Sequence, residues 1–316
     1  MGPVLSVSGL EKTFELRKTV FSHTKRIIKA IDTISFELHE GKTLGVVGES
    51  GSGKSTPARC LLLLERPDNG IIKFHDEDLV RLGQKNLKNL RKEIQIIFQD
   101  PYSSLNPRKK VSDALREPLL FHGIVKKQEI DEKIIEILTN IGLDEDFLHK
   151  YPHEMSGGQR QRVAIGRALA LHPSLLIADE PVSSLDVSIQ AQIINLFMNI
   201  KKQSKISMIF ISHDLNIVQF VSDDILVLYK GKILEMGGKD EVFLNPLHPY
   251  TQMLLKAAQG ELCAVKEKAD KNIDDEKCVY YERCELAEKL CTTKAPDLRG
   301  TDKHSAACFR AITNIV

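Results

Sequence analysis

The 316-residue sequence predicts an α/β fold: a parallel β-sheet with an antiparallel β flank, an inserted helical subdomain and a small cysteine-bearing C-terminal extension. Three observations predict it. Short apolar runs alternate with stretches of helical periodicity, as in a sheet covered by helices on both faces. One apolar run leads directly into Gly48-Glu49-Ser50-Gly51-Ser52-Gly53-Lys54-Ser55-Thr56, which fits the G-x-x-x-x-G-K-[ST] pattern of a phosphate-binding loop set between strand and helix. From about residue 111 to 148, helical patterns continue with no strand between them.

Taken in order, short strands at 5–7 and 31–38 read as the antiparallel flank. Leu44-Gly45-Val46-Val47 reads as a buried parallel strand. The loop after it carries glycines that let the backbone wrap closely, so several N–H groups converge on a triphosphate. Lys54 would reach the β- and γ-phosphates and the Ser55 hydroxyl would hold Mg²⁺, with the N-terminus of the following helix favouring anions. A Gly/Ser surface loop matching by chance is the bland alternative. Leu61-Leu62-Leu63-Leu64 reads as the middle of a buried helix, and Ile94-Gln95-Ile96-Ile97-Phe98 as a strand. Further parallel strands are expected at Leu175-Leu176-Ile177-Ala178, Met208-Ile209-Phe210-Ile211 and Ile225-Leu226-Val227-Leu228. The helix between the first two repeats Ile189, Ile193, Leu196, Phe197 and Ile200 at helical spacing. After about residue 259 a lysine- and acid-rich link leads into the tail, dividing the chain into an expected domain at 1–259, with its helical subdomain at about 100–165, and an extension at 260–316.

Composition narrows the function classes. Lysine plus arginine total 44 against 43 aspartates and glutamates, a net charge of +1 that gives no support to a nucleic-acid-binding surface. No apolar run approaches the ~18–20 residues that span a bilayer, and the N-terminus lacks a secretory signal. The reading is a cytosolic protein held at a membrane only through a partner. Its six cysteines are then expected to be reduced rather than paired in a disulfide framework.

Other motifs carry chemistry. The strand 175–178 ends in Asp179-Glu180, placing two acids at the carboxyl edge of the sheet, where ligands of open α/β sheets bind. Asp179 suits a Mg²⁺ partner acting through water, and Glu180 a base for the attacking water; a helix-capping pair is the alternative. His213 follows another apolar strand and can donate to a γ-phosphate, although a lone histidine is more often structural. Gln99 ends a third strand, where an amide can ligate Mg²⁺ or the lytic water; alone it is weak. Met155-Ser156-Gly157-Gly158-Gln159 opens a helix and makes a second anion site. One nucleotide does not need two such sites in one chain, whereas a head-to-tail dimer does. Ser183-Ser184-Leu185-Asp186 would lie along its interface.

With these motifs together, the chain resembles the ATP-binding subunit of an ABC transporter. Gly48 to Thr56 matches Walker A, Gln99 the Q-loop, Ser156 to Gln159 the signature and Leu175 to Glu180 Walker B; Ser184-Leu185-Asp186 matches the D-loop and His213 the H-loop. Phe14 falls where the family stacks an aromatic on adenine. The resemblance runs from Val4 to about Ala258 and implies a P-loop ABC ATPase that binds ATP and Mg²⁺. The nucleotide would be held by Phe14, Gly48, Glu49, Ser50, Gly51, Ser52, Gly53, Lys54, Ser55, Thr56 and Asp179, and by Ser156, Gly157, Gly158, Gln159 and Asp186 across the dimer. Glu180, His213 and Gln99 would be the catalytic set, with Ser55 and Gln99 on Mg²⁺.

Tyr151-Pro152-His153-Glu154, Asn245-Pro246-Leu247-His248-Pro249-Tyr250-Thr251 and the extra stretch 15–28 resemble the oligopeptide/dipeptide importer ATPases, a group that includes nickel importers. That implies a second, paralogous ATPase subunit, two membrane permease subunits and an extracytoplasmic substrate-binding protein, with no nucleic acid. The subunit would sit at the cytoplasmic face of the membrane. A soluble ABC ATPase of DNA repair or translation is the rival class, but neither a long coiled-coil insertion nor a tandem cassette is present. A non-hydrolysing cassette is disfavoured by Lys54, Asp179, Glu180 and His213. Pro57 departs from the family's usual aliphatic residue; proline is tolerated in a first helical turn but biases Thr56 away from the helical region, so it either weakens ATP binding or is absorbed by a small shift. In the tail, Cys278, Cys284, Cys291 and Cys308 read as a [4Fe–4S] ligand set, with structural Zn²⁺ or unliganded thiols as alternatives. Cys60 reads as a buried apolar residue and Cys263 as an unassigned linker thiol.

Overall fold

The computed structural model describes residues 2–17, 25–261, 276–301 and 303–311. The chain opens with the antiparallel strands β1 (Leu5–Arg17) and β2 (Lys25–Leu38), then β3 (Thr43–Val47). Helix α1 (Ser55–Leu61) follows the phosphate-binding loop, and β4 (Asn69–Phe74) and β5 (Glu77–Asp78) come next. Helix α2 (Gln84–Glu93) leads into β6 (Ile94–Ile97). The helices α3 (Pro101–Ser104), α4 (Val111–His122), α5 (Ile130–Asn140) and α6 (Gly157–Leu169) then run without an intervening strand. Alternation resumes with β7 (Leu175–Asp179), α7 (Val187–Gln203), β8 (Ser207–Ile211), α8 (Leu215–Val221) and β9 (Asp224–Tyr229). After β10 (Lys232–Gly238), α9 (Lys239–Leu244) and α10 (Pro249–Ala258), the tail contributes β11 (Arg299–Thr301) and β12 (His304–Ala306).

These elements fall into two compact units, Met1–Arg81 with Ser212–Val316, and Leu82–Ile211. In the first unit, β2, β1, β4 and β5 form an antiparallel sheet in that order, and a second run of strands has the order β11-β12-β10-β9-β3. β3 and β9 are parallel, from Leu44 opposite Asp224 to Val47 opposite Val227, and β10 returns antiparallel. All five residues of β3 are buried, and α8 packs against it. In the second unit β8, β7 and β6 are parallel. Every residue of β7 and β8 is buried, while α6 and α2 pack against β6. Strands covered on both faces have no polar side to show, so their sequences read as unbroken apolar runs. Leu175, Leu176 and Ile177 are each 0% exposed, and burying such a side chain stabilises by about 1.5–3 kcal/mol.

The repeating apolar face of α7 behaves as its spacing predicts. Ile193, Leu196, Phe197 and Ile200 are buried, and Phe197 meets Phe210 of β8 edge-on at 5.5 Å between centroids. The antiparallel flank extends beyond the predicted 5–7 and 31–38 and includes β4 and β5. Leu61-Leu62-Leu63-Leu64 is a helix end, not a helix middle. Leu63 takes a left-handed φ of 52°, and the Leu64 N–H turns back to the Arg59 carbonyl at 3.0 Å. A left-handed residue with such a return bond closes off a helix. Leu61 and Leu62 stay buried while Leu64 is exposed. Pro57 is buried in the first turn of α1. The carbonyl a residue-57 N–H would reach, that of Gly53, accepts from the Thr56 N–H at 3.1 Å instead.

Candidate active site

β3 delivers the phosphate-binding loop at its carboxyl end. The loop closes through Ser52 N–H to the Glu49 carbonyl at 3.2 Å and is anchored by Gly231 N–H to the Ser52 carbonyl at 2.9 Å. Gly53 has a φ of 99°, and a Cβ there would lie 2.2 Å from the Ala30 carbonyl oxygen, so a side chain would force the loop off β2. Lys54 is 5% exposed, and its ammonium donates to the Gly48 and Glu49 carbonyls at 2.7 and 2.8 Å. Ser52 Oγ is buried with no hydrogen-bond partner among the described residues. An unpaired buried hydroxyl costs free energy that a phosphate oxygen would recover. Loop, ammonium and hydroxyl together fit a triphosphate. Ser50 and Gly51 form the exposed crest, while Ser55 and Thr56 open α1.

His213 belongs to the same unit and is exposed. The N–H of Ser212 donates to Val46 of β3 at 3.1 Å, and Ser212 Oγ accepts from Asp214 N–H at 3.0 Å. These bonds fix the backbone on both sides of His213 against the strand that feeds the loop. Phe14 is half-buried on β1, opposite Ile28, with the Lys12 ammonium 5.4 Å from its ring centre.

The second unit gathers the carboxylates. Asp179 ends β7 and is 6% exposed. Glu180 follows with a φ of 46°, a strained conformation for a residue with a Cβ, held by its N–H to the Ile211 carbonyl at 2.9 Å. Gln99 reaches it directly: Nε2 donates to Glu180 Oε2 at 3.1 Å. Two strand ends read separately from the sequence therefore meet. Ser156 caps α6 reciprocally with Gln159, Ser156 Oγ accepting from Gln159 N–H at 3.3 Å and Gln159 Oε1 from Ser156 N–H at 2.9 Å. Leu185 lies beside Gly157, and a Cβ on Gly158 would stand 2.3 Å from Ile189 Cγ2. Asp186 caps α7 by accepting from Ile189 N–H at 3.0 Å. The 156–159 and 183–186 segments thus pack as one piece.

Two side chains outside the predicted set hydrogen-bond Glu49 of the phosphate-binding loop. Tyr250 Oη accepts from Glu49 N–H at 2.9 Å, and Arg283 donates to both carboxylate oxygens of Glu49 at 2.6 and 2.7 Å. Tyr250 lies in a motif the sequence did expose; Arg283, 234 positions from Glu49, carries no local signal.

The four tail cysteines all lie within the described residues. Cys278 and Cys291 are buried, Cys284 and Cys308 half-buried, and all four are free thiols. Among the described residues no group of three or more His, Cys, Asp or Glu side chains is arranged to hold a metal ion. Burial, with smaller contributions from the other three thiols, pushes the Cys278 thiol up to about 11. The four sulfurs share one neighbourhood, since each of the other three thiols contributes to the upward shift at Cys278. Cys60 is 0% exposed, as an apolar residue would be, and burial pushes its thiol up to about 11. Cys263 and residues 18–24 of the extra stretch lie outside the described residues.

The chain matches the family described as "ABC transporter" over residues 31–183 and that described as "Oligopeptide/dipeptide transporter, C-terminal region" over 234–291. It is 43% identical to the oligopeptide transport ATP-binding protein AppF of Bacillus subtilis, over 96% of each chain. It belongs to the oligopeptide/dipeptide branch of the ABC transporter ATP-binding subunits. The dipeptide transport ATP-binding protein DppF of Escherichia coli is 42% identical over 97% of this chain and 94% of its own. Among solved structures, the ADP- and phosphate-bound post-hydrolysis dimer of the ATP-binding cassette MJ0796 aligns with a TM-score of 0.66 at 27% identity. It covers 74% of this chain and 98% of that one. As a member of this ABC family the chain is an ATPase, and ATP with Mg²⁺ is what its site takes. Among the described residues no helix is long and apolar enough to cross a membrane.

Proposed function

We propose that this ABC ATPase powers the import of peptides, a reading supported by relatives whose names describe oligopeptide and dipeptide transport ATP-binding proteins. The observation that carries the catalytic part is the Gln99–Glu180 hydrogen bond beside Asp179. Glu180 serves as the base that takes a proton from the attacking water, and Gln99 orients that water and the metal side of the site. Lys54 and the loop N–H groups of residues 48–56 hold the β- and γ-phosphates, and Phe14 stacks on adenine. Ser55 and Gln99 would hold Mg²⁺, with Asp179 acting through water; the ion supplies neutralisation of phosphate charge. His213 donates to the γ-phosphate. Ser156, Gly157, Gly158, Gln159 and Asp186 close on the nucleotide of a second ATPase subunit.

The partners on this reading are a paralogous ATPase, two permeases and an extracytoplasmic binding protein. The subunit works at the cytoplasmic face, with residues 1–259 as the ATP-binding domain and 260–316 as the extension. Glu180→Gln in the assembled transporter should retain ATP, accumulate as a closed dimer and lose most turnover; wild-type turnover removes Glu180 as the base. Peptide-stimulated ATPase in reconstituted vesicles, absent with nickel, tests the cargo, and the reverse pattern replaces peptide by metal ion.

The reading extends to a [4Fe–4S] cluster on Cys278, Cys284, Cys291 and Cys308. Four free soft thiols in one neighbourhood are the right donors, while their described arrangement is not that of a closed metal site. Anaerobic protein should then contain about four irons and four sulfides per chain. Stoichiometric zinc without sulfide replaces the cluster by a structural metal, and metal-free protein leaves four thiols.

A further inference from the structure

Glu49 is the point where the phosphate-binding loop is tied to the C-terminal tail. Its backbone N–H is taken by Tyr250 Oη at 2.9 Å, and its carboxylate is gripped on both oxygens by Arg283 at 2.6 and 2.7 Å. Neither partner is loose. Tyr250 is 0% exposed, and its ring packs with Tyr229 and Tyr280 at centroid distances of 4.7 and 5.3 Å. The Arg283 guanidinium sits 5.7 and 5.9 Å from the Tyr229 and Tyr280 ring centres. Behind Tyr250, the His248 ring nitrogen Nδ1 accepts from Tyr250 N–H at 3.0 Å. Glu235, 0% exposed, accepts from Leu247 and His248 N–H at 2.8 Å each and bonds His304 Nε2 of the tail at 2.7 Å. Each link in the series is itself held by further polar bonds, of which His248 N–H to Glu235 and Tyr250 N–H to His248 are fully buried.

We infer that Arg283 and Tyr250 are positioning residues for ATP binding, holding Glu49 so that the phosphate-binding loop keeps its shape and its rim presents no bare carboxylate to the triphosphate. The physical argument has two parts. A bidentate guanidinium–carboxylate pair fixes direction as well as charge. An unpaired carboxylate at the loop rim repels the nucleotide's negative charge, whereas a paired one is close to neutral. Tyr250 sets the backbone and Arg283 the side chain of the same residue. The role needs only that the chain bind ATP, and it stands whatever the transported solute.

The test uses the full-length chain and a non-hydrolysable MgATP analogue. Arg283→Met should weaken binding about tenfold, equivalent to about 1.4 kcal/mol. Tyr250→Phe, which removes one hydroxyl and keeps the ring, should weaken it by a few-fold with little change in melting temperature. The double variant Glu49→Gln with Arg283→Met should recover most of the loss, because the repelling carboxylate is gone too. In the assembled transporter the KM for ATP should rise in Arg283→Met while kcat stays within about twofold. Wild-type affinity in both single variants overturns the inference, as does a folded double variant no tighter than Arg283→Met. Should Arg283→Met fail to fold, Tyr250→Phe decides: unchanged affinity overturns it, and weakened affinity at an unchanged melting temperature supports it.

Discussion

At pH 7 the His248 imidazole is neutral. Burial pulls its pKa down to about 4, and Glu235 offsets only part of that fall. Its Nδ1 accepts the Tyr250 N–H, so a proton there removes the cap of α10. Between the ordinary histidine value and about 4, the unfolded chain binds a proton that the folded chain refuses. Stability is therefore complete above the unfolded value and is lost as pH falls through that window, by up to about 3 kcal/mol at its lower end. His248→Asn keeps an N-cap acceptor without the titration, and denaturant melts between pH 7 and pH 4 should show a shallower acid slope for it. An identical slope would assign the acid loss to carboxylates. At this scale Asp179, Glu180 and Gln99 were legible because each stands at the end of an apolar run, where a polar residue has few structural reasons to be, and Lys54 because it completes the glycine-spaced phosphate-loop pattern. Arg283 was not, since its partner is 234 positions away and the residues beside it form no pattern.

Among the elements, the parallel strands were read correctly because burial on both faces leaves an unmixed apolar signature in β3, β7 and β8. The four leucines at 61–64 misled for the same reason: an apolar run records burial but not where a backbone turns, and the left-handed Leu63 leaves no mark in composition. Helix α1 also shows how Pro57 is accommodated. Its missing N–H falls where the Gly53 carbonyl already has the Thr56 N–H, and the first turn of a helix tolerates proline well. Pro57→Ala should accordingly change stability by less than about 1 kcal/mol, measured by denaturant midpoint, with MgATP affinity unaltered. A gain well beyond that would mean the first turn is strained after all.

For the whole molecule, the tail is more than an appendage to the nucleotide machinery. The short strands β11 and β12 had no sequence signature, because residues 299–301 are exposed and no apolar alternation marks them. They are nevertheless the outer members of the strand series that runs through β10 and β9 to β3. A chain ending at residue 259 would keep every ATP motif while losing Arg283 and His304. By the loop argument it should bind MgATP more weakly than the full chain, which a titration of the two proteins side by side would show.

Such a truncation has a second effect, set by backbone chemistry alone. β12 pairs with β10 from Glu235 opposite Ala306 to Gly237 opposite His304. Without it, β10 presents a row of bare N–H and C=O groups to solvent, and an open strand of that kind is a template for another copy of itself. Sedimentation should find the shortened chain self-associating as its concentration rises, and a lysine introduced at Met236 should suppress the effect. Strand β12 therefore acts as a selvedge, the woven border that keeps β10 of one molecule from being stitched to the next.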